Sequence, residues 1–317
     1  MAQTVLITGA SGYIATHVVQ TFLRKGYNVR GTYAEQLSVA IVPDIAAPNA
    51  FDEAVKGVDG IIHTASPFSL TSVDYEKELL QPAINGTTSV LEAAQRYNPT
   101  VSRIVITSSF ASILDPTQGQ RPGYVYKEAD WDPITVEQAN SNPVMAYIAS
   151  KTFAEKAAFD YVKENKPNFS VTTLCPPMVY GPILHSVSDV KAMNTSSGDI
   201  YRLIDGSEKN VPDTLIWAFA DVRDLAEAHL QAYEKPEAAG QRYLIATSSF
   251  SYQQICDIIR DKFPELRELT PKGNTGDPLP PVYKLDNSKA SAELGIKFRS
   301  LEETVVDMVN SFLKLRK

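Results

Sequence analysis

Short runs of β-branched residues alternate along this chain with stretches of helical periodicity. Thr4–Thr8 predicts a strand, and Tyr13–Lys25 predicts the helix that follows it. The same patterns predict strands at residues 27–32, 39–42, 60–64, 103–108 and 170–174 and helices at 51–56, 74–97 and 144–164. Because neighbouring parallel strands are joined by long crossovers, usually helical, this alternation predicts a parallel sheet with helices on both faces.

The character of the chain changes after Gly181, where residues 185–214 are largely polar. Later patterns predict strands at 216–222 and 242–245, helices at 223–233, 252–262 and 301–315, and a proline-rich loop at 264–283. We therefore expect an α/β fold. Its Rossmann-type, doubly wound parallel core would cover residues 1–181 with contributions from about 215–247, and a small C-terminal substrate lobe would lie mainly within 182–317.

The link between the second and third predicted strands is too short. Only five residues separate Tyr33 from Val39, whereas a parallel crossover needs about a dozen or more. Either one of the two runs is not a parallel strand, or the chain lacks a segment here. We expect a missing segment, with a break or an unusually short link near residues 33–39.

Composition excludes several functional classes. The 317 residues are 44% hydrophobic, and the net charge is −7 without a basic block, which argues against a nucleic-acid partner. No apolar run approaches the roughly 18 residues of a membrane span, and no targeting segment is evident, so we expect a cytoplasmic protein without membrane contact. Cys175 and Cys256 lie in separate apolar runs, which predicts buried thiols and no metal site.

A glycine-rich turn, Gly9-Ala-Ser-Gly12-Tyr-Ile-Ala15, joins the first predicted strand to the first predicted helix. Gly9 permits a sharp turn, Gly12 leaves room for a pyrophosphate, and Ala15 allows close packing of helix on strand. Phosphates bind at such helix N-termini because free amides and the helix dipole favour negative charge. The turn predicts a dinucleotide site; a plain glycine turn is the alternative.

Residues that follow two other predicted strands are further candidates, since doubly wound sheets bind ligands at the carboxyl ends of their strands. Asp44 could accept a hydrogen bond from the adenine amino group, with Ile45 against the ring, or it could cap a turn. Thr64-Ala65-Ser66 could border the cofactor, or it could simply end a strand.

Tyr147 and Lys151 lie four residues apart, on one face of a predicted helix. A nearby ammonium is expected to lower the pKa of a tyrosine from its usual value of about 10 and suit it to proton donation. Ser108 and Ser109 end the fifth predicted strand, where a hydroxyl could hold a substrate carbonyl oxygen. Chance spacing on an exposed helix is the alternative interpretation.

The segment after the sixth predicted strand, residues 175–182, would pass the nicotinamide end of a cofactor. Its prolines fix the backbone. Met178 and Tyr180 are candidate pocket walls, and His185 would lie near the pocket mouth and could touch substrate. A rigid loop with structural side chains is the alternative.

Several motifs together resemble one family, the extended short-chain dehydrogenases. Besides the glycine turn they are His-Thr-Ala-Ser-Pro, Pro-Ala-Ile-Asn-Gly-Thr, Thr-Ser-Ser, Tyr-Ile-Ala-Ser-Lys-Thr-Phe-Ala-Glu-Lys and Ala-Asp-Val-Arg-Asp-Leu-Ala-Glu-Ala-His, at residues 63–67, 82–87, 107–109, 147–156 and 220–229. Within the family the chain is most similar to fungal NADPH-dependent carbonyl reductases, which are related to dihydroflavonol reductase.

The resemblance implies a catalytic group of Ser109, Tyr147 and Lys151, with Ser109 preferred over Ser108 by its spacing to the tyrosine. It implies cofactor contacts, including those of Tyr147 and Lys151, at Gly9, Ser11, Gly12, Tyr13, Ile14, Asp44, Ile45, Thr64, Ala65, Ser66, Pro176 and Val179. It implies substrate contacts, besides Ser109, at Phe68, Met178, Tyr180 and His185.

One departure bears on the cofactor. The family places basic residues just after the second strand to bind the 2′-phosphate of NADPH, but Thr32-Tyr33-Ala34-Glu35-Gln36 contains none. An acidic residue there suits the free ribose hydroxyl of NAD. We expect NADP on the family resemblance, with NAD as the alternative.

The resemblance implies reduction of a small aldehyde or ketone to an alcohol by a monomer or homodimer. Two alternatives share the core: a nucleotide-sugar epimerase or dehydratase, and a non-catalytic dinucleotide sensor. Only Lys191, Arg202 and Lys209 are basic within 182–214, which disfavours a diphosphate-gripping lobe, and retention of Tyr147 disfavours a sensor.

Overall fold

The computed structural model describes residues 2–31, 37–38, 40–66, 74–187 and 193–315. Its strands are β1 Thr4–Thr8, β2 Asn28–Arg30, β3 Leu37–Ser38, β4 Gly60–His63, β5 Arg103–Thr107, β6 Val125–Tyr126, β7 Ser170–Cys175, β8 Met178–Tyr180, β9 Phe219–Asp221, β10 Arg242–Leu244 and β11 Lys284–Leu285. Its α-helices are α1 Tyr13–Lys25, α2 Gln81–Tyr97, α3 Val136–Ala139, α4 Pro143–Asn165, α5 Thr195–Tyr201, α6 Val222–Glu234, α7 Tyr252–Lys262 and α8 Leu301–Leu315.

Seven parallel strands form the central sheet in the order β3-β2-β1-β4-β5-β7-β10. The chain first builds outward from β1 to β3 and then returns to the other side of β1 at β4. This reversal is a topological switch point, the place where open α/β sheets bind ligands. The predicted doubly wound fold is confirmed.

The two faces of the sheet are covered by different helices because side chains alternate along each strand. Val5 and Ile7 point into a core shared with α1 and α6. Leu6, between them, points into the opposite core, together with residues of α2 and α4. The pattern read from Thr4–Thr8 therefore places α1 and α4 on opposite sides of the switch point.

Two predicted elements between β2 and β4 are wrong. Residues 40–42 are not a strand; the third strand is Leu37–Ser38, and it pairs in parallel with β2. Residues 51–56 form successive turns, in which Val55 N donates to Phe51 O and Lys56 N to Glu53 O, because their apolar side chains pack into the core against the sheet. The predicted missing segment falls mainly on residues 32–36 and 39, outside the described residues, and stays a prediction.

The C-terminal part of the chain has its own apolar cluster, which joins α5, α7 and α8 to β8 and β9. Both α7 and α8 have the predicted bounds. The residue ranges of the two predicted domains stay a prediction. Among the described residues, no helix combines the length and apolar character needed to cross a membrane.

Candidate active site

The glycine turn lies at the switch point, between β1 and α1. Gly9 has φ +66°, and a Cβ built there would lie 3.2 Å from Cα of Ala65, at the end of β4. Gly12 donates its N–H to Gly9 O at 2.8 Å and precedes α1. No side chain caps the start of α1, and its first turn has no acidic residue. The first-turn amides of α1 therefore suit a phosphate group.

Tyr13 has two distinct roles at this turn. Its backbone N–H belongs to the uncapped first turn, as a pyrophosphate site requires. Its side chain is buried, and the hydroxyl donates to Gly181 O at 2.9 Å. The ring meets His185 edge-on, with centroids 5.8 Å apart. The structure therefore places His185 against α1, where burial lowers the pKa of its imidazole. Its contact with substrate stays a prediction.

Residues 64–66 bridge the glycine turn to the helix that carries Tyr147. Thr64 N and Ala65 N each donate to Thr8 Oγ1 at 3.1 Å. Two residues later, Ser66 Oγ accepts a hydrogen bond of 2.6 Å from Lys151 Nζ. The glycine turn and the Tyr147–Lys151 motif are therefore connected through the residues that follow β4.

Tyr147, Ser109 and Lys151 come together at the carboxyl edge of the sheet. The Ser109 hydroxyl lies near enough to Tyr147 to lower the pKa of the phenol by hydrogen bonding. Lys151 Nζ lies 5.6 Å from the centroid of the Tyr147 ring. The structure therefore brings together the three side chains that the resemblance assigned to catalysis.

The expected lowering of the Tyr147 pKa by Lys151 is wrong for this arrangement. Burial raises the pKa of Tyr147 above 10.0, and the hydrogen bond with Ser109 opposes that rise. Burial also lowers the pKa of Lys151 to about 8. The ammonium is directed to Ser66 and not to the phenol, which explains why Ser109 has the clearer influence on Tyr147.

The two neighbouring serines point in different directions. Ser108 is buried, and its hydroxyl donates to Glu155 Oε2 at 2.7 Å. Ser109 Oγ instead accepts from Ala111 N at 3.1 Å, on the side of the strand end that faces Tyr147. This difference places Ser109, rather than Ser108, at the candidate site.

The four residues after β7 that were predicted to contact ligands lie in different surroundings. Pro176 O accepts from Phe110 N at 2.8 Å, so the loop is fixed to the turn that follows Ser109. Val179 is buried beneath the cleft in the core that contains α1. Tyr180 was predicted to be a pocket wall, and that prediction is wrong. Its ring is fully buried and its hydroxyl donates to Asp199 at 2.7 Å, so Tyr180 belongs to the core of the C-terminal part. Met178 packs at the edge of the same core.

The remaining predicted residues lie at the periphery. Asp44 Oδ1 accepts from Ala46 N at 2.9 Å, which is the turn-capping alternative. Ile45 packs against α2, where Ser89 Oγ donates to Ile45 O at 3.1 Å. Ser11 is exposed and Ile14 half-buried at the glycine turn. Phe68 lies outside the described residues.

The described residues also bear on metal-dependent chemistry and on thiol chemistry. No group of three or more histidine, cysteine or acidic side chains there is arranged to hold a metal ion. Cys175 and Cys256 are buried free thiols, as predicted. Burial raises the pKa of each thiol to about 12, so neither is suited to act as a nucleophile.

Sequence reasoning missed Glu155, which lies four residues after Lys151 on the same helix and is 2% exposed. It pairs with Arg242, and Nε of that arginine is 2.7 Å from Glu155 Oε1. The four-residue spacing after Tyr147 and Lys151 was the available signal, but a lone helical glutamate usually lies in solvent.

A glycine turn at the switch point of a parallel sheet, joined to a Ser–Tyr–Lys group, defines a dinucleotide-binding protein of the Rossmann class. The chain belongs to the NAD dependent epimerase/dehydratase family, whose family model matches residues 5–246.

Similar proteins extend this likeness over nearly the full chain. A putative NADPH-dependent methylglyoxal reductase of Candida albicans is 39% identical over 331 residues, covering 96% of this chain and 97% of the relative. A ketoreductase of Aspergillus niger is 39% identical over 337 residues, covering 99% and 98%. The crystal structure of yeast methylglyoxal/isovaleraldehyde reductase complexed with NADPH has a TM-score of 0.91, 34% identity and 99% coverage of both chains.

Proposed function

We propose that this protein is an NADPH-dependent reductase that converts small aldehydes or ketones to alcohols. The observation that carries the proposal is the Lys151–Ser66 hydrogen bond, which joins the dinucleotide turn to the Ser109–Tyr147 pair at one strand end. The relatives compared above are named as reductases, which favours this activity over epimerase or dehydratase chemistry.

The described residues fit a dinucleotide. The close approach of Gly9 to Ala65 leaves no room for a side chain, and the uncapped start of α1 offers amides to a pyrophosphate. Gly9, Gly12 and the backbone of Tyr13 would hold the phosphates, while Pro176 and Val179 would border the nicotinamide. When bound, the reduced nicotinamide supplies the hydride that the carbonyl carbon accepts.

Within that arrangement, each side chain has a separate task. Ser109 holds the substrate carbonyl oxygen by a hydrogen bond. Tyr147 donates its phenolic proton to that oxygen as the carbon is reduced, and solvent returns the proton to Tyr147 after the alcohol forms. Lys151, which donates to Ser66 Oγ at 2.6 Å, would reach the cofactor ribose and hold the cofactor beside the phenol.

The preference for NADPH rests on the relatives, two of which carry NADPH in their names or crystals. The residues that would meet the 2′-phosphate, 32–36, lie outside the described residues. The Candida albicans and Aspergillus niger relatives align over 331 and 337 positions, more than the 317 residues of this chain. They therefore contain residues that have no counterpart here. We further infer a cytoplasmic monomer or homodimer, which cell fractionation and light scattering would test.

The direct test is a nicotinamide absorbance assay with NADPH and NADH in parallel over a panel of simple aldehydes and ketones. We expect carbonyl-dependent oxidation of NADPH at a higher kcat/KM than for NADH. A protein that binds NADPH but oxidises it with none of the carbonyl compounds, while it converts a nucleotide sugar, would overturn the assignment.

A further inference from the structure

Glu155 is the most completely bonded ionisable group near the candidate site. Tyr147, Lys151 and Glu155 recur every four residues on α4, so they share one face of the helix. The first two side chains are half-buried and reach the cleft, whereas Glu155 is 2% exposed and points under the sheet edge.

Both carboxylate oxygens of Glu155 are fully used. Oε1 accepts from Arg242 Nε at 2.7 Å and from Thr173 Oγ1 at 2.5 Å. Oε2 accepts from Ser108 Oγ at 2.7 Å and from Ser112 Oγ at 2.5 Å. Burial disfavours the charged carboxylate, but Arg242 and these hydroxyls outweigh it and hold the pKa of Glu155 below its ordinary value. The group is therefore an ionised acceptor at neutral pH.

The counter-ion is itself held rigidly. Arg242 Nη1 donates to the carbonyl oxygens of Glu128 and Asp130 at 2.6 and 2.8 Å. The ring of Trp131 covers the guanidinium, with 3.5 Å between its centroid and Cζ. Arg242 lies on the edge strand β10, so the pair connects α4 to the sheet through a shielded contact.

The other two donors flank Ser109. Ser108 immediately precedes it, and Ser112 closes the short turn that Ser109 begins. Ser112 Oγ lies 2.7 Å from Ser109 O and 2.5 Å from Glu155 Oε2, and its single proton can be donated to either acceptor, so the hydroxyl lies between the carboxylate and the Ser109 backbone. The turn that carries Ser109 is thus anchored to the helix that carries Tyr147.

We propose that Glu155 is a positioning residue that fixes the Ser108–Ser112 turn to α4 and thereby keeps Ser109 within hydrogen-bonding reach of Tyr147. The proposal rests on the proposed function for its catalytic consequence. Its structural content, the Ser109–Tyr147 contact, is measurable without turnover.

The test replaces Glu155 by glutamine and, separately, Ser112 by alanine. Glu155→Gln removes the charge and one acceptor oxygen. Ser112→Ala removes the hydroxyl that contacts Glu155 Oε2, Ser109 O and Arg242 Nη2, while the ion pair between Glu155 and Arg242 stays, so it remains informative if the first variant does not fold. Glu164→Gln is the matched control: the same substitution on an exposed residue of the same helix. Fluorotyrosine incorporated at position 147 reports the phenol by ¹⁹F NMR, and steady-state kinetics with NADPH report turnover.

Both test variants should shift the titration midpoint of the phenol upward, because the hydrogen bond from Ser109 opposes the effect of burial. They should lower kcat by roughly 10- to 100-fold while KM for NADPH stays near the wild-type value, as expected for a misplaced proton donor. A merely structural role predicts lower thermal stability without a change in the phenol.

Folded test variants whose ¹⁹F midpoint equals that of the Glu164→Gln protein would overturn the inference, whatever their turnover. Failure of the proposed function looks different: the wild-type protein would oxidise no NADPH with any carbonyl compound, while the fluorine measurement still decides the role of Glu155.

Discussion

The polar groups on the two sides of the cleft are bonded very differently. At the glycine turn, the first amides of α1 have no side-chain cap, and Lys151 has no carboxylate within salt-bridge distance among the described residues. In the C-terminal part, Asp199 accepts from Tyr180, Tyr252 and Arg202 at 2.6 to 2.8 Å.

This difference distinguishes a region suited to bind a ligand from a region that stabilises the fold. A buried cation and uncapped amides cost free energy until an anionic partner arrives, so they belong where a ligand binds. A carboxylate with three donors gains nothing from a ligand and holds its own region together. The glycine-turn side is therefore built to receive the dinucleotide, and the Asp199 side is built to stay fixed.

The largest expected effect comes from Tyr147→Phe on the receiving side. Loss of the proton donor should lower kcat by at least about 100-fold, because positioned general acids contribute effects of this size. Cofactor affinity, measured by fluorescence titration with NADPH, should stay within a few-fold of wild type. Tyr161→Phe, farther along the same helix, is the control and should keep its turnover. Turnover by Tyr147→Phe near the wild-type rate would remove the phenol from the mechanism.

Lys151→Met removes the charge beside Ser66, and its effect is measured on the free energy of unfolding. The folded chain releases the Lys151 proton at about pH 8, earlier than the ordinary value of 10.5, so the unfolded chain binds more protons between these values. Wild-type stability should therefore rise relative to the variant across this window, and the difference should be constant below it. Urea unfolding at several pH values measures the change. A constant difference throughout would show that Lys151 is not the group titrating there.

Gly9→Ala should weaken both folding and cofactor binding. A left-handed backbone costs an alanine roughly 1–2 kcal/mol, and here the new methyl also meets the backbone of Ala65. Gly57 is the matched control, since its φ is +68° but a Cβ there meets nothing within 4 Å. Both variants should lose stability in urea, and only Gly9→Ala should lose NADPH affinity. Equal affinities would mean that the close approach at Ala65 does not shape the site.

The smallest effect on activity is expected on the fixed side, from Tyr180→Phe. This change removes one of several donors to Asp199 and should lower the free energy of unfolding by about 1.5–3 kcal/mol, the range for a hydrogen bond to a charged group. Thermal unfolding measures the loss, and kcat and KM should not change. A selective rise in KM for the carbonyl substrate would return Tyr180 to the pocket wall.

Local signals were sufficient for some elements and not for others. The strand, turn and helix from Thr4 to Lys25 follow from a short pattern in which every residue agrees, and so do the bounds of α7, which begins with a capping box at Ser251. The segment at 51–56 has helical spacing, but its apolar side chains pack as turns against the sheet. That outcome depends on tertiary contacts, which no local pattern contains.

The candidate site divides in the same way. Residue types and spacing predicted Tyr147, Lys151 and a serine at the strand end, since a helix face and a strand end are local properties, and the family resemblance selected Ser109 over Ser108. The burial of Tyr180 and the bonding of Glu155 were not predictable, because their partners Asp199, on α5, and Arg242, on the edge strand β10, are distant in sequence. Aromatic and acidic residues near a motif look the same in sequence whether they line a cleft or fill a core.

Two hydrogen bonds join α1 to the beginning of the C-terminal part. The Tyr13 hydroxyl donates to Gly181 O, and His17 Nε2 lies 2.8 Å from Pro182 O. A ligand that orders the first turn of this helix is therefore expected to stabilise the segment that begins at Gly181 as well. Hydrogen exchange of amides around residues 181–187 should slow when NADPH binds, although none of these residues belongs to the glycine turn.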